Sequence, residues 1–138
     1  MKYSRLMGEL LAQQISQGCS IWPDCLIPVP LHHSRLLERG YNQAFQIADI
    51  IGKRLNIPVE QDHVRRITSQ APQATLNARD RSKNLRSAFT VDASVVNGKN
   101  ITIIDDVYTT GATTRALALT LKKAGASRIS VWAFARTP

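Results

Sequence analysis

Short apolar runs alternate along the chain with longer segments in which apolar residues recur every three or four positions. The short runs predict strands, because a strand that is buried on both faces of a parallel sheet is apolar throughout. The strand candidates are residues 26–29, 59–64, 101–104 and 127–134, with 88–91 as a short accessory strand. The segments with helical spacing cover residues 1–17, 42–55 and 112–124. This alternation predicts an α/β protein in which helices join the strands of a parallel sheet by right-handed crossovers.

Residues 100–115 combine a strand, an acidic pair, a loop and the start of a helix. Asp105 and Asp106 directly follow the apolar run, at the predicted carboxyl end of the strand. Ligands bind at that edge in open α/β sheets. The loop before the helix contains five small or hydroxylated residues: Thr109, Thr110, Gly111, Ala112 and Thr113. We therefore expect a ligand site in this segment.

The residue types in this segment limit the kind of ligand. A helix N-terminus offers backbone N–H groups and a positive dipole end to an anion, and Gly111 allows close approach. Two adjacent carboxylates would repel a phosphate, so we expect them to accept hydrogen bonds from vicinal hydroxyls or to bind a divalent metal. A phosphate cradle beside a diol acceptor describes a ribose 5-phosphate site. The chain contains neither a GxxxxGKS/T loop nor a GxGxxG fingerprint, which disfavours the corresponding nucleotide sites.

Length and composition indicate an ordinary globular protein. A chain of 138 residues predicts a single domain over 1–138, and 43% hydrophobic with 20% charged residues is typical of one. No apolar run approaches the roughly 20 residues needed to cross a bilayer, and residues 1–17 lack the pattern of a signal peptide. We expect a cytoplasmic protein without a membrane span. Cys19 and Cys25 do not make a zinc site.

The net charge of +8 and the pI near 10.1 predict an anionic partner, either a nucleic acid or a polyphosphate. A solvated basic face is the alternative reading for any one of these charges. Several basic residues cluster between the second predicted strand and Phe89: Arg65, Arg66, Arg79, Arg81, Lys83 and Arg86. Residues 67–86 lack long apolar periodicity and predict a mobile flap.

Residues 103–113, Ile-Ile-Asp-Asp-Val-Tyr-Thr-Thr-Gly-Ala-Thr, resemble the phosphoribosyl pyrophosphate (PRPP) motif of type I phosphoribosyltransferases. The resemblance implies an α/β, type I phosphoribosyltransferase fold: a parallel β-sheet of about five strands flanked by helices, with a small hood or flap. It implies that Asp105 and Asp106 are catalytic and bind the ribose hydroxyls, and that residues 109–113 bind the 5-phosphate. The implied cofactor is Mg²⁺, held through PRPP, with no protein ligand assigned to it.

Residues 28–44, Pro-Val-Pro-Leu-His-His-Ser-Arg-Leu-Leu-Glu-Arg-Gly-Tyr-Asn-Gln-Ala, resemble the pyrophosphate-loop signature of the ComF/GntX group, the competence protein F family. A second pattern agrees with that group: Arg66, Thr68, Gln70, Arg79, Asn84 and Phe89. The resemblance implies pyrophosphate contacts from four residues: Leu31, His32, Arg35 and Arg39. It implies flap contacts from Gln70 and Arg79. Members commonly begin with a four-cysteine zinc module that this sequence does not contain, so zinc is not carried over.

Three hypotheses of function follow. The first is a phosphoribosyltransferase-like protein that binds PRPP, or a related ribose 5-phosphate ligand, with Mg²⁺ and transfers phosphoribosyl to a nitrogen acceptor. The second is a non-catalytic module that senses PRPP or a nucleotide and acts in competence, the uptake of DNA, with proteins of the competence machinery. The third is binding of single-stranded DNA, which an aromatic content of 6% disfavours. A homo-oligomer is compatible with each.

Overall fold

The computed structural model describes residues 2–18, 21–31, 36–38, 40–67, 88–108 and 111–136. The helices whose bounds are described are α1 (Lys2–Gly18), α2 (Gln43–Leu55), α3 (Ala93–Val96) and α4 (Ala112–Lys123), and residues 36–38 are helical as well. Five strands accompany them: β1 (Cys25–Pro28), β2 (Val64–Arg66), β3 (Phe89–Val91), β4 (Asn100–Tyr108) and β5 (Arg128–Arg136). Among the described residues, no helix is both long and apolar enough to cross a membrane.

A parallel sheet with the strand order β1-β4-β5 forms the centre of the protein. β1 pairs with β4 in a register that sets Pro28 opposite Ile104, and the next residue continues the ladder because the Val29 N–H donates to the Ile104 carbonyl at 2.9 Å. β4 pairs with β5 from Asn100 to Tyr108. The carboxyl ends of β1 and β4 therefore meet at one edge of the sheet.

The predicted strand over 59–64 is wrong as a single strand. Only Val59 pairs with β1, through an isolated parallel bridge to Leu26. The chain turns at Asp62 and His63, and Val64 begins β2, which pairs with β3 in an antiparallel two-stranded sheet. Four polar residues separate Val59 from Val64, and the chain leaves the main sheet there. Within the described residues the parallel sheet has three strands rather than about five.

Each face of the parallel sheet is covered by its own hydrophobic cluster. On one face, α4 and the β2–β3 sheet pack on odd-numbered positions of β1 and β4, including Ile27, Ile101 and Ile103. On the other face, α1 and α2 enclose Leu26 and Ile104. Alternate residues of a strand point to opposite faces, so a run that is buried throughout serves both clusters. This explains why β1 and residues 101–104 of β4 are continuously buried.

Helix α1 packs on α2 rather than mainly on the sheet. Leu6 and Leu10 belong to the helical apolar spacing of this segment, but their side chains are 57% and 46% exposed. The buried face contains Gly8 instead, where an added Cβ would lie 2.7 Å from the Cβ of Ile50. The small residue allows the two helices to approach closely, and that contact rotates the two leucines toward solvent.

Candidate functional site

Asp105 and Asp106 lie inside β4, beyond the last residue that pairs with β1. The strand is longer than the predicted run over 101–104 because its second half continues to pair with β5, with Asp105 opposite Ala133. Both acidic residues are half-buried. The Asp106 backbone N–H donates to Oδ1 of Asp105 at 2.9 Å. The acidic pair is therefore held by a sheet rather than by a free loop.

The pKa of Asp105 is raised to about 7, mainly by burial and to a smaller extent by a hydrogen bond with the Asp106 side chain and by the negative charge of that neighbour. The backbone N–H of Asp106 acts in the opposite direction but is weaker. A carboxyl group in this environment exchanges a proton near neutral pH. Hydroxyl donors or a cation placed between the two groups would favour the doubly ionised pair, because they remove the repulsion that keeps the proton bound.

Gly111 precedes α4 with φ near +80°, a left-handed conformation that glycine adopts without a Cβ penalty. Its carbonyl accepts from the Thr114 hydroxyl at 3.1 Å and from the Arg115 N–H at 2.8 Å. As the N-cap residue, Gly111 makes no side-chain hydrogen bond to the first turn, where Ala112 and Thr113 lie half-buried. This geometry suits an anion at the helix N-terminus.

The segment that follows β1 reaches the same edge of the sheet. Leu31 is partly buried three residues beyond Pro28. Asn42, the N-cap of α2, accepts from the Phe45 N–H at 3.2 Å and donates from Nδ2 to the Val29 carbonyl at 3.2 Å. Adjacent parallel strands thus bring the start of the predicted pyrophosphate loop next to the acidic pair.

Seven of the predicted site residues lie outside the described residues: Thr109, Thr110, His32, Arg35, Arg39, Gln70 and Arg79. The predicted flap over 67–86 lies outside them as well, apart from Ile67. The assigned roles of these residues stay predictions. The structure brings together the other six at or next to one sheet edge: Leu31, Asp105, Asp106, Gly111, Ala112 and Thr113.

In the described ranges, no group of three or more His, Cys, Asp or Glu side chains could hold a metal ion. The carboxylates of Asp105 and Asp106 are two oxygen donors of the kind that Mg²⁺ accepts, and Mg²⁺ commonly takes its remaining ligands from water and substrate phosphates. The residues present thus fit a magnesium ion that arrives with a phosphorylated ligand rather than one held in a protein cage.

A cleft of about 580 Å³ opens between α1 and α2, with Arg5, Glu9, Phe45 and Asp49 among its lining residues. It contains none of the residues of the predicted site. We place the candidate site at the sheet edge instead, because the acidic pair and the helix N-terminus meet there.

Sequence reasoning assigned no role to Asn42 and Thr114. Asparagine directly before a helical apolar pattern is an N-cap signal, which could have identified Asn42. Its second hydrogen bond joins residues 13 positions apart and has no local signal. Thr114 is 4% exposed and stabilises the Gly111 carbonyl, a role that depends on the left-handed turn.

Solved structures with this architecture are phosphoribosyltransferases and related enzymes. The chain is similar to a glutamine phosphoribosylpyrophosphate amidotransferase from B. subtilis with a TM-score of 0.66 and 20% identity, over 95% of this chain and 26% of that one. It is similar to a purine phosphoribosyltransferase from Pyrococcus horikoshii with a TM-score of 0.53 and 21% identity, over 94% of this chain and 70% of that one. The protein therefore has the type I phosphoribosyltransferase fold, as predicted.

Sequence relatives give the narrower group. Competence protein F of Haemophilus influenzae is 38% identical to this chain, over 83% of this chain and 51% of that protein. DNA utilization protein YhgH of Escherichia coli strain K12 is 34% identical, over 96% of this chain and 57% of that protein. The chain is thus a homologue of the competence protein F group, as the sequence motifs indicated. No family model matches it.

The chain spans about half the length of the curated relatives that it matches. The region matched in YhgH includes all the described elements of the candidate site, because the match covers 96% of this chain. The longer relatives also contain residues that this chain does not match.

Proposed function

We propose that this chain binds PRPP, or a related ribose 5-phosphate ligand, together with Mg²⁺ at the sheet edge formed by β1 and β4. We further propose that it transfers the phosphoribosyl group to a nitrogen acceptor. The observation that carries the proposal is the half-buried pair Asp105–Asp106, fixed in β4 directly before the N-terminus of α4.

The acidic pair supports recognition of a diol. Two carboxyl groups that share a hydrogen bond can instead accept hydrogen bonds from the 2- and 3-hydroxyls of a ribose. That exchange would release the proton that Asp105 holds near pH 7. The negative charge would then stabilise the positive charge that develops at C1 of the sugar.

The N-terminus of α4 supports recognition of the 5-phosphate. Gly111 allows the backbone to approach an anion, and the N–H groups and hydroxyls of the first turn are donors. Phosphate at this end of the helix also gains from the helix dipole. The proposal places the sugar between the acidic pair and this turn.

Pyrophosphate would lie toward the segment after β1. In the transfer, the bond from C1 to the pyrophosphate oxygen breaks, and the pyrophosphate leaves with the electron pair. The acceptor nitrogen forms the new bond to C1 and gives its proton to solvent. Mg²⁺ would neutralise the charge of the leaving group. Arg35 and Arg39 are the side chains that we propose for the same purpose.

Calorimetric titration of PRPP, with and without Mg²⁺, tests the binding. We expect Mg²⁺-dependent binding to the unmodified chain and at least a tenfold weaker affinity in Asp105→Asn/Asp106→Asn, since two charge-assisted hydrogen bonds to the ribose are weakened. Release of pyrophosphate on addition of nitrogen bases tests the transfer.

Asp49→Asn/Asp62→Asn is the matched control, because it makes the same two substitutions at positions outside the sheet edge. Equal loss of affinity in both double variants would mean that overall charge, rather than the acidic pair, governs binding. No PRPP binding by the unmodified chain would reject the proposal. Binding without pyrophosphate release would leave the chain a sensing module.

A second candidate function is binding of single-stranded DNA. The net charge of +8, the exposed Arg65 on β2 and the name of the Escherichia coli relative support it. Affinity for a fluorescent oligonucleotide should then fall steeply between 50 and 200 mM salt, because the bound phosphates release counterions. Affinity that is insensitive to salt would contradict this mode.

A further inference from the structure

The cleft of about 580 Å³ between α1 and α2 lies away from the sheet edge that holds the candidate site. A cleft of this volume, with apolar walls and a few polar groups, is typical of a site for a small molecule. The groups in its walls then define the kind of molecule that fits. Both helices contribute them, and the argument uses three residues of α1 and three of α2: Ser4, Arg5, Glu9, Phe45, Gln46 and Ile50.

Two polar atoms in these walls have no hydrogen-bond partner within the described part of the chain, Oγ of Ser4 and Oε1 of Gln46. Ser4 is only 1% exposed, and both oxygens are buried. Unpaired buried polar atoms are rare, because they lose their hydrogen bonds to water without replacement. Gln46 Oε1 can only accept, so it requires an N–H or O–H donor, whereas the Ser4 hydroxyl can donate or accept.

The charges at the mouth of the cleft do not balance. Glu9 forms an ion pair with Arg54, which also satisfies its buried Oε2 atom, and Asp49 pairs with Lys53 at 2.9 Å. Arg5 is exposed, and none of the described side chains forms an ion pair with it. The cleft thus has one cation in excess, which an anionic group on a ligand would pair.

A ligand reaches the two buried oxygens only if side chains that line the cleft rearrange. Those of Lys53 and Arg54 are 78% and 64% exposed, and both are long and flexible. Ion pairs between exposed side chains contribute little to stability, so these two pairs can open at small cost. The cleft can therefore adapt to a molecule that enters between the helices.

We infer that the α1–α2 cleft binds a small organic carboxylate that carries a hydrogen-bond donor and an apolar group. The carboxylate pairs with Arg5 and accepts from the Ser4 hydroxyl. The donor satisfies Oε1 of Gln46, and the apolar group packs on Phe45 and Ile50. This site is separate from the sheet edge, so the inference does not depend on the proposed function.

Phenyllactate is the probe, because it combines a carboxylate, a hydroxyl and a phenyl ring. Three analogues each lack one of these groups: phenethyl alcohol lacks the carboxylate, 3-phenylpropionate lacks the hydroxyl, and lactate lacks the ring. In NMR titrations of the unmodified chain, we expect phenyllactate to bind about tenfold more tightly than each analogue. Equal affinity for phenyllactate and phenethyl alcohol, or no binding of phenyllactate at millimolar concentrations, would overturn the inference.

The same titrations locate the ligand. Amide signals of residues 4–9 and 45–54 should shift on addition of phenyllactate, whereas those of residues 101–106 should not. Shifts confined to residues 101–106 would assign the carboxylate to the candidate site and would reject a second site between the helices.

Arg5→Met removes the unpaired charge while it keeps a long side chain. We expect its affinity for phenyllactate to fall about tenfold, because a charge-assisted hydrogen bond is lost. Arg128→Met is the matched control, since it makes the same change at an exposed position outside the cleft, and its affinity should stay within about twofold. An equal loss in both variants would mean that the net charge, rather than Arg5, attracts the ligand.

Ser4→Ala provides a readout that needs no ligand. It removes an unpaired buried hydroxyl and favours helix, so the melting temperature should rise by about 2–5 °C. The affinity for phenyllactate should fall about fivefold in the same variant. A lower melting temperature would mean that buried water already satisfies the hydroxyl in the unliganded protein, and the inference would then be wrong.

Discussion

Asp105 links the candidate site to the stability of the fold at the scale of a single residue. Its pKa is raised to about 7 in the folded protein, mainly by burial, whereas an unfolded aspartate titrates near 3.8. Between these values the folded state binds more protons than the unfolded state. The free energy of unfolding therefore decreases as pH rises from about 4 through about 7, because the proton bound by Asp105 in the folded state is released over this range.

Asp105→Asn removes this titration at nearly constant size. We expect the variant to be more stable than the unmodified chain above pH 7, by on the order of 1–4 kcal/mol, and the difference to shrink as pH falls toward 4. Urea unfolding at a series of pH values measures it. A difference that does not change with pH would mean that Asp105 is ionised throughout.

Asp92 is the control of opposite sign. Hydrogen bonds from the side chain and backbone of Ser94 lower its pKa. The ionised Asp92 side chain therefore adds to the free energy of unfolding above the ordinary aspartate pKa, and this stabilisation is lost as pH falls. We expect Asp92→Asn to lower the free energy of unfolding more at pH 6 than at pH 3, as measured by urea unfolding at both pH values.

At the residue scale, the sequence could identify Asp105, Asp106 and Gly111 as candidate site residues, because an acidic pair followed by a glycine at the start of a helix is an uncommon combination. A carboxyl pair after an apolar run and a glycine before a helix are local signals. The raised pKa of Asp105 and the bond from Asn42 to Val29 depend on burial and on residues distant in the chain. No local pattern contains them.

At the scale of elements, the contact of α1 with α2 depends on Gly8. Alanine there would place a Cβ 2.7 Å from the Cβ of Ile50, so the helices must separate. Alanine also favours helix by about 1 kcal/mol, but overpacking costs about 1–3 kcal/mol. We expect Gly8→Ala to reduce the free energy of unfolding on balance, as measured by denaturant titration.

Gly18→Ala is the matched substitution in the same helix. No atom lies within 4 Å of a Cβ at Gly18, so alanine should be neutral or slightly stabilising there. If both variants have the same stability, then α1 does not depend on close packing at Gly8.

Helices could be predicted more accurately than strands. The predicted helix over 42–55 differs from Gln43–Leu55 by one residue, because Asn42 caps it rather than joining it. Strand limits depend on partners: β4 extends to Tyr108 because β5 pairs with it, although its second half contains two aspartates. The partner of Val64 is β3, and the sequence does not specify that choice.

At the scale of the whole molecule, the sheet separates two hydrophobic clusters. Ile103 belongs to the cluster under α4, and Ile51 to the cluster under α1 and α2. Ile103→Val and Ile51→Val should each cost about 0.5–1.5 kcal/mol, and the double variant should equal their sum within about 0.5 kcal/mol. Guanidinium unfolding with a common m-value measures all three.

Ile47→Val combined with Ile51→Val is the comparison, since both residues lie in one cluster. We expect a larger departure from additivity for this pair because neighbouring cavities can relax together. Strong coupling across the sheet, equal to that within a cluster, would show that the two faces do not act independently.

The placement of Asp105 and Asp106 in a paired strand has an evolutionary consequence. Their backbone is fixed by β5, and each side chain can be exchanged without rebuilding a loop. Descendants of such a chain can change or abandon ligand chemistry by one or two point mutations while the scaffold persists. Under the proposed function, the residues at positions 105 and 106 are therefore a better record of retained chemistry than the similarity of the fold.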